Sequence, residues 1–408
     1  MDRALEITAR FRCPLLLRDL RLSCLEKVFR LTIDNVMGQV RLLTRLEELE
    51  AIASDWRLLS SDKLMRSWEF QRCWLEHFPC RDSLRILVSE SNGRIDGILP
   101  LVEERRLWTG RTLVNAGSGK ACLDDLGLIA DPSNVVDIAK GFVDYLLRTP
   151  DLHWDYLRLE GIRTEDPGMR AFAEEFTRNY ANAVERRSDH SCWAIDLHPD
   201  QDGNHSWSKR LRSLMRKARE EHKRGELEFH IASNVHDALT DLDVMESIHQ
   251  ARWQGRGIHG CFSSEPFANF TKDLLKETFE AGATFMAILR WKGKPAAGAI
   301  CFRDTETLYV YLASMSPDFP KEKPGWKLNG YLADYALRQG CKRLDLMRGD
   351  EEYKQRMGAI PYEQEKWMIA SPRFWGRLHR TLYRTAREIK HFMSMPAATL
   401  PTPEAAIN

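Results

Sequence analysis

FMAILRWKGKPAAGAICFRD, residues 285–304, reads as strand, tight turn, strand. The turn, Lys-Gly-Lys-Pro, ends in a proline, which has no N–H to give to a ladder and so opens a strand. LRILVSESNGRIDGILPLVEE, residues 84–104, has the same shape, and its Asn92-Gly93 pair is a strong two-residue hairpin signal. Gly97 and Gly298 are read as matching places in the two second arms.

The likeness continues on both sides. AKGFVDYLLRTPDLHWDYLRLEG (139–161) and NGYLADYALRQGCKRLDLMRG (329–349) each read as an amphipathic helix followed by a strand. Upstream, LMRSWEFQRCWLEHF (64–78) and DVMESIHQARWQGRG (243–257) are helical, Trp-bearing segments, read here as equivalents. A repeated order of helix, hairpin, third strand, helix and strand implies two similar α/β domains. They are placed at 36–199 and 200–390, with an N-terminal extension over 1–35 and a flexible tail over 391–408. The boundary falls in DLHPDQDGNHSW (196–207), which is rich in turn formers.

One difference separates the copies. After its last strand the second carries RGDEEYKQRMGA (348–359), dense in ionisable groups, where the first has EGIRTEDPGMRAF. This asymmetry points to chemistry in the second copy, with the first shaping the cleft.

Lys+Arg 60 against Asp+Glu 59 leaves a net charge of +1, so no global field marks a DNA binder. Nine cysteines at irregular spacing, without CxxC, fit reduced thiols in a cytoplasmic protein, and no metal site is expected. No eighteen-residue apolar run exists, and residues 1–32 alternate charge and apolar groups too often for a signal segment. That amphipathic head either packs as a helix on the body or makes peripheral membrane contact.

The element order is similar to the GNAT acyltransferase fold. The tandem arrangement resembles the CelD-type branch, named for a cellulose-biosynthesis protein, and its FemABX aminoacyl transferase relatives. Four segments carry the resemblance: SKRLRSLMRKARE (208–220), HQARWQGRG (249–257), YVYLASMSPDFPKEKPGWKLNGYLADYAL (309–337) and LDLMRGDEEYKQRMGA (344–359). It implies tandem GNAT-like domains with mixed, mostly antiparallel sheets flanked by helices. It implies an acyl-CoA-dependent N-acyltransferase, with acetyl-CoA or another acyl-CoA as co-substrate. The acceptor would be a small-molecule or glycan amine, in envelope or exopolysaccharide metabolism. Fem-type relatives use aminoacyl-tRNA instead, and a non-catalytic scaffold is a third reading.

In SPDFPKEKPGWKLNG (316–330) a loop meets a helix start near Gly325, where backbone N–H groups and the positive dipole end suit a phosphate. Lys321, Lys323 and Lys327 add charge, and the loop has one glycine where the usual GNAT signature has two spaced glycines. The resemblance implies donor contacts from Ser314, Lys323, Gly325, Trp326, Lys327 and Leu328. It also implies Tyr353 as proton donor to the leaving thiolate, Asp350 as base or helix N-cap, and Lys354 as a phosphate or carboxylate contact. His249, with Glu246 on the same helix face, is either a base or a hydrogen-bonded structural residue. Trp253, Arg256 and Arg348 are the remaining acceptor-side candidates.

The segment 205–225 holds eight Lys/Arg against two Glu around one apolar face. It is either a solvated basic surface or a contact for CoA phosphates, RNA, anionic glycan or phospholipid. Asp124-Asp125 is read as a turn or a cleft-lining pair without partners.

Overall fold

The computed structural model describes residues 39–373, apart from 62, 79–82, 108, 151, 181–183 and 198–207. The extension over 1–35, the tail over 391–408 and most of the boundary run therefore lie outside the described residues.

The first half runs β1 (Gln39–Leu43), α1 (Leu46–Glu50), α2 (Ala53–Leu59), α3 (Trp68–His77), β2 (Ile86–Ser91), β3 (Arg94–Leu99), β4 (Leu101–Arg106), β5 (Gly110–Asn115) and a short β6 (Ile129–Ala130). It ends with α4 (Val135–Arg148), β7 (Tyr156–Arg163), α5 (Pro167–Asn179) and β8 (Val184–Asp196). The second half runs α6 (Lys209–Lys223), β9 (Leu227–Ile231), α7 (Val235–Gln254), α8 (Glu265–Thr278), β10 (Thr284–Trp291), β11 (Lys294–Arg303) and β12 (Thr307–Met315). α9 (Pro324–Arg338), β13 (Arg343–Arg348), α10 (Glu352–Met357) and β14 (Ile360–Ala370) complete it.

The repeat is visible at the level of backbone angles. Asn92-Gly93 has φ of 51° and 71°, and Lys292-Gly293 has 49° and 76°. Both are left-handed pairs, as the primed hairpin turn requires. A register shift follows at the same place in each hairpin, beside Ser89 and beside Leu289. Ser89 then faces Gly97, and Leu289 faces Ala297. The two glycines are thus not equivalent, which corrects the sequence match. One residue of offset on a strand reverses the face. Gly97 makes room for Ile138 of α4, whereas Gly298 makes room for Met245 of α7 on the other side.

The Trp-bearing segments need a similar correction. α3 directly precedes the first hairpin as α8 precedes the second, so 64–78 corresponds to α8 rather than to 243–257. α3 and α8 pack on each other between the halves. Phe78 meets Phe270 edge-on at 5.6 Å, and His77 Nε2 lies 3.0 Å from Asp273.

A ten-stranded sheet runs β4-β5-β7-β14-β8-β13-β12-β11-β10-β9, and a four-stranded sheet runs β1-β2-β3-β6. Pro100 divides them: it interrupts what would be one strand, and β3 and β4 go to different sheets. The last strands are exchanged. β14 pairs with β7 of the first half, and β8 pairs with β13 of the second. The halves therefore interleave at the centre of the sheet, although the sequence divides near residue 200.

Three layers of core result. A central cluster from α3, α7, α8 and the inner sheet faces joins both halves, with Phe70 edge-on to Phe302 at 4.8 Å. One outer cluster lies under α4 and α5, the other under α6 and α9. Among the described residues no helix is long and apolar enough to cross a membrane.

Candidate active site

β12 and β13 are parallel, but their ladder holds only from Thr307↔Arg343 to Tyr309↔Asp345. Just beyond, β12 has a register shift against β11, so that Tyr311 is bulged. A bulge bends and twists a strand, and here it turns the rest of β12 away from β13. The backbone of 310–315 faces the opening without a strand partner on that side.

The first half has the same parallel pair, ending at Val114↔Arg158, and no shift in β5. Asn115, the next residue, closes its gap: the side-chain amide donates to the Glu160 carbonyl at 2.8 Å and accepts from the Glu160 N–H at 3.0 Å. Val310 stands at the corresponding place in the second half and has no polar group to do this. The slot is open in one half and sealed in the other.

α9 starts at the mouth of this slot. Lys323 is its N-cap residue, in the left-handed region with φ of 51°, and Pro324 opens the helix. A lysine in that conformation is a strained backbone position of the kind found at binding sites. Gly325 is packed tightly: a side chain there would meet the Met315 methyl at 3.2 Å. Its small size thus serves strand–helix contact.

Lys323 and Trp326 share an open cleft of about 660 Å³ with Arg210, Arg216 and Lys217 of α6. The Arg210 guanidinium stacks over the Trp326 ring at 4.9 Å. The basic helix and the loop, far apart in sequence, therefore form one cationic wall beside a helix N-terminus.

Lys327 and Leu328 are placed differently from expectation. Lys327 is buried, ion-paired with Glu221 of α6 and set over the Trp291 ring at 4.8 Å. Its ammonium holds α9 to α6 and is not available to a donor phosphate. The Leu328 side chain lies wholly in the core under α9. Ser314 is buried, and its hydroxyl has no hydrogen-bond partner among the described residues.

Tyr353, on α10, reaches the same region from the other strand. Its ring lies 6.4 Å from that of Trp326, and the Asn329 amide faces its hydroxyl. Burial, then the nearby Glu351 carboxylate, pushes the phenol above its ordinary value. It is a hydrogen-bond donor that keeps its proton.

Lys354 is corrected from ligand contact to scaffold. Its ammonium donates to the carbonyls of Met347 (3.1 Å), Arg348 (2.7 Å) and Gly349 (3.1 Å), and lies 3.0 Å from Glu351. An ammonium has three protons, and all are committed to closing the end of β13. Asp350 is exposed at the slot's mouth, while Glu351 is the N-cap residue of α10; the expected cap is displaced by one.

Arg348 and Asp124 are partners. The Arg348 guanidinium bonds Asp124 and the Leu123 carbonyl, tying the 117–128 loop of the first half to the strand end of the second. Burial pushes the Asp124 carboxyl up, and Arg348 pulls it back. Asp125 is also engaged, with Arg66 at 2.8 Å and Arg163 at 3.6 Å. The Asp-Asp pair thus has partners, and Arg348 is not a free acceptor contact. Tyr311, at the bulge and packed against the central core, donates to the Ala121 carbonyl of the same loop.

His249, near the end of α7, is buried, and its Nε2 accepts from the Trp253 indole at 2.9 Å. Cys261 Sγ lies 3.5 Å from the same nitrogen. Burial, then Arg252, holds the imidazole down at about 4. The lone pair needed for base catalysis is occupied, and Trp253 rather than Glu246 orients the ring. Arg252 and Arg256 lie 6.0 and 5.4 Å from the Trp253 ring centre.

Sequence reasoning missed Asn115, Trp291 and Glu221, because each acts through a contact with a distant element.

Residues 208–355 match a family model described as "Acetyltransferase (GNAT) domain", which spans α6 to α10 and supports an acyltransferase. Among solved structures the chain is similar to FemX, at 9% identity with a TM-score of 0.59, covering 85% of this chain and 99% of that one. It is also similar to the C-terminal domain of a putative lysylphosphatidylglycerol synthetase from Agrobacterium fabrum. That match has 13% identity and a TM-score of 0.50, covering 78% and 92%. These likenesses show the fold: a tandem of GNAT-like units with mixed sheets flanked by helices. No curated protein matches the chain.

Proposed function

We propose that the chain is an N-acyltransferase that takes its acyl group from acyl-CoA, acetyl-CoA being the probe of choice, and passes it to an amine. The carrying observation is the opening between β12 and β13, with the N-terminus of α9, the cationic cleft and Tyr353 all gathered at its mouth. A thioester arm laid along 310–315 would meet backbone groups that have no strand partner there. The diphosphate would lie by Lys323 and Arg210, and the sulfur near the Tyr353 hydroxyl.

Catalysis would then be mostly positioning of thioester and amine. The amine nitrogen bonds to the acyl carbon, the carbon–sulfur bond breaks, and the electron pair stays on sulfur. Tyr353 would donate a hydrogen bond to that sulfur, since its raised pKa resists full transfer. Asp350 is exposed beside Glu351 and Glu352, which are paired with Lys354 and Arg356, and is suited to receive the amine proton through water. Acceptors of the amino-sugar or envelope-precursor class fit a site open to solvent.

A second reading, transfer from aminoacyl-tRNA, is favoured by the basic face of α6, which continues past the cleft to Arg219, Lys223 and Arg224. Melting temperature separates the two. Acetyl-CoA should stabilise the wild-type chain, and Lys323→Glu should abolish the shift. Protection by charged tRNA without any shift by acetyl-CoA would move the assignment to the second reading.

A further inference from the structure

Two cations at the end of α7 have no counter-charge among the described residues. Arg252 and Arg256 make no hydrogen bond or ion pair among the described residues, yet both sit over the Trp253 ring. Arg252 is half-buried. Burial and the neighbouring Arg256 both disfavour its charged form. The opposite charges nearby are already engaged: Glu351 pairs with Lys354, and Glu352 with Arg356. The C-terminal end of α7 offers only about half a negative charge, against two full positive ones. Two like charges held on one indole without a carboxylate are an incomplete arrangement, and a bound anion completes it.

The place of the pair gives the anion a role. Arg252 lies close enough to the α10 start for the Glu351 carboxylate to favour its charged form, and Tyr353 is beside it. Arg252 is on α7 and Arg256 just beyond its end, and α7 packs on the opposite face of the sheet from α6 and α9, whose residues line the cleft. The pair is therefore separate from the cations proposed for the donor.

We propose that Arg252 and Arg256, splayed on Trp253, bind an anionic group of the acceptor, so that the acceptor is an amine carrying a phosphate or a carboxylate. This rests on the acyl-transfer reading of the slot. Trp253, pinned by its indole bond to His249, acts as a rigid platform that fixes both guanidinium planes.

The test is calorimetric titration of the full chain, with CoA present, by glucosamine, its 6-phosphate and its 6-carboxylate. One of the two anionic forms should bind about tenfold or more tighter than glucosamine, as expected for a charge-assisted contact in a half-buried site. The stronger form identifies the group. That preference should fall to about unity in Arg252→Gln/Arg256→Gln, and drop in Arg256→Gln alone, an exposed change that spares folding. It should persist in Arg210→Ala/Lys323→Ala, which instead should lose acetyl-CoA binding. Equal binding of the three ligands, no binding of any, or a preference unaffected by the Arg252 and Arg256 changes overturns the inference. A charge preference that behaves as expected while acetyl-CoA neither binds nor turns over would overturn the donor assignment alone.

Discussion

The ammonium of Lys354 lies 2.7 Å from the carbonyl oxygen of Arg348, and the Arg348 side chain bonds Asp124 in the other half. One buried cation thus shapes the end of β13, and that end carries the ion pair joining the two units. The region that reads in sequence as a row of reactive groups is largely a fastening, which presents Tyr353 to the slot.

Lys354→Met removes a donor from three carbonyls while keeping the volume. Stability should fall by about 2–4 kcal/mol, the range for orphaning buried polar groups. Donor binding should fall with it as the strand end loosens. Urea denaturation beside acetyl-CoA titration checks this. Intact stability with lost binding would return Lys354 to a direct ligand role.

Tyr353→Phe should slow the chemical step by about 10- to 1000-fold, as for loss of one donor to a developing charge, with acyl-CoA affinity nearly kept. The ring keeps its place beside Trp326, while the Asn329 amide loses the hydroxyl it faces. Single-turnover kinetics separate the two effects, and equal loss in both would contradict the assigned role.

The Arg348–Asp124 pair predicts coupling between halves. Asp124→Asn and Arg348→Gln should each cost about 2–4 kcal/mol, because each leaves a charge largely out of water. A double-mutant cycle should return a coupling of about 1–3 kcal/mol. Additive losses would mean that the two residues act separately.

His249 predicts a pH effect with a definite sign. The unfolded imidazole gains a proton below about 6.5; the folded one resists until about 4. Between these values the unfolded state binds more protons, so stability falls as the pH drops from about 6.5 towards 4, by about 3 kcal/mol at most. His249→Gln should flatten that limb relative to wild type in denaturation at pH 7, 5.5 and 4. A parallel loss in both proteins would show that His249 does not contribute.

The hairpins, the duplicated order and the helix–strand pairs were legible because turn residues and apolar periodicity are local signals, as at Asn92-Gly93. The exchange of β8 and β14 was not, since pairing partners are chosen by the whole sheet. Tyr353 and Trp326 are neighbours across 27 residues of sequence, a contact no local pattern announces. Charged residues misled: Lys327 and Lys354 look like ligand contacts in sequence, yet burial with Glu221 and with three carbonyls gives them structural partners. No local pattern distinguishes a lysine that meets solvent from one that meets a buried acid. Asn115 illustrates the reverse case, an unremarked amide that seals one slot of two.

The most direct test is a crystal structure of the full chain with acetyl-CoA. The account predicts the diphosphate beside Lys323 and Arg210, the pantetheine arm along 310–315, and the sulfur within hydrogen-bonding reach of the Tyr353 hydroxyl. Acetyl-CoA bound between β5 and β7 instead, or a β12–β13 opening left empty at saturating ligand, would contradict it.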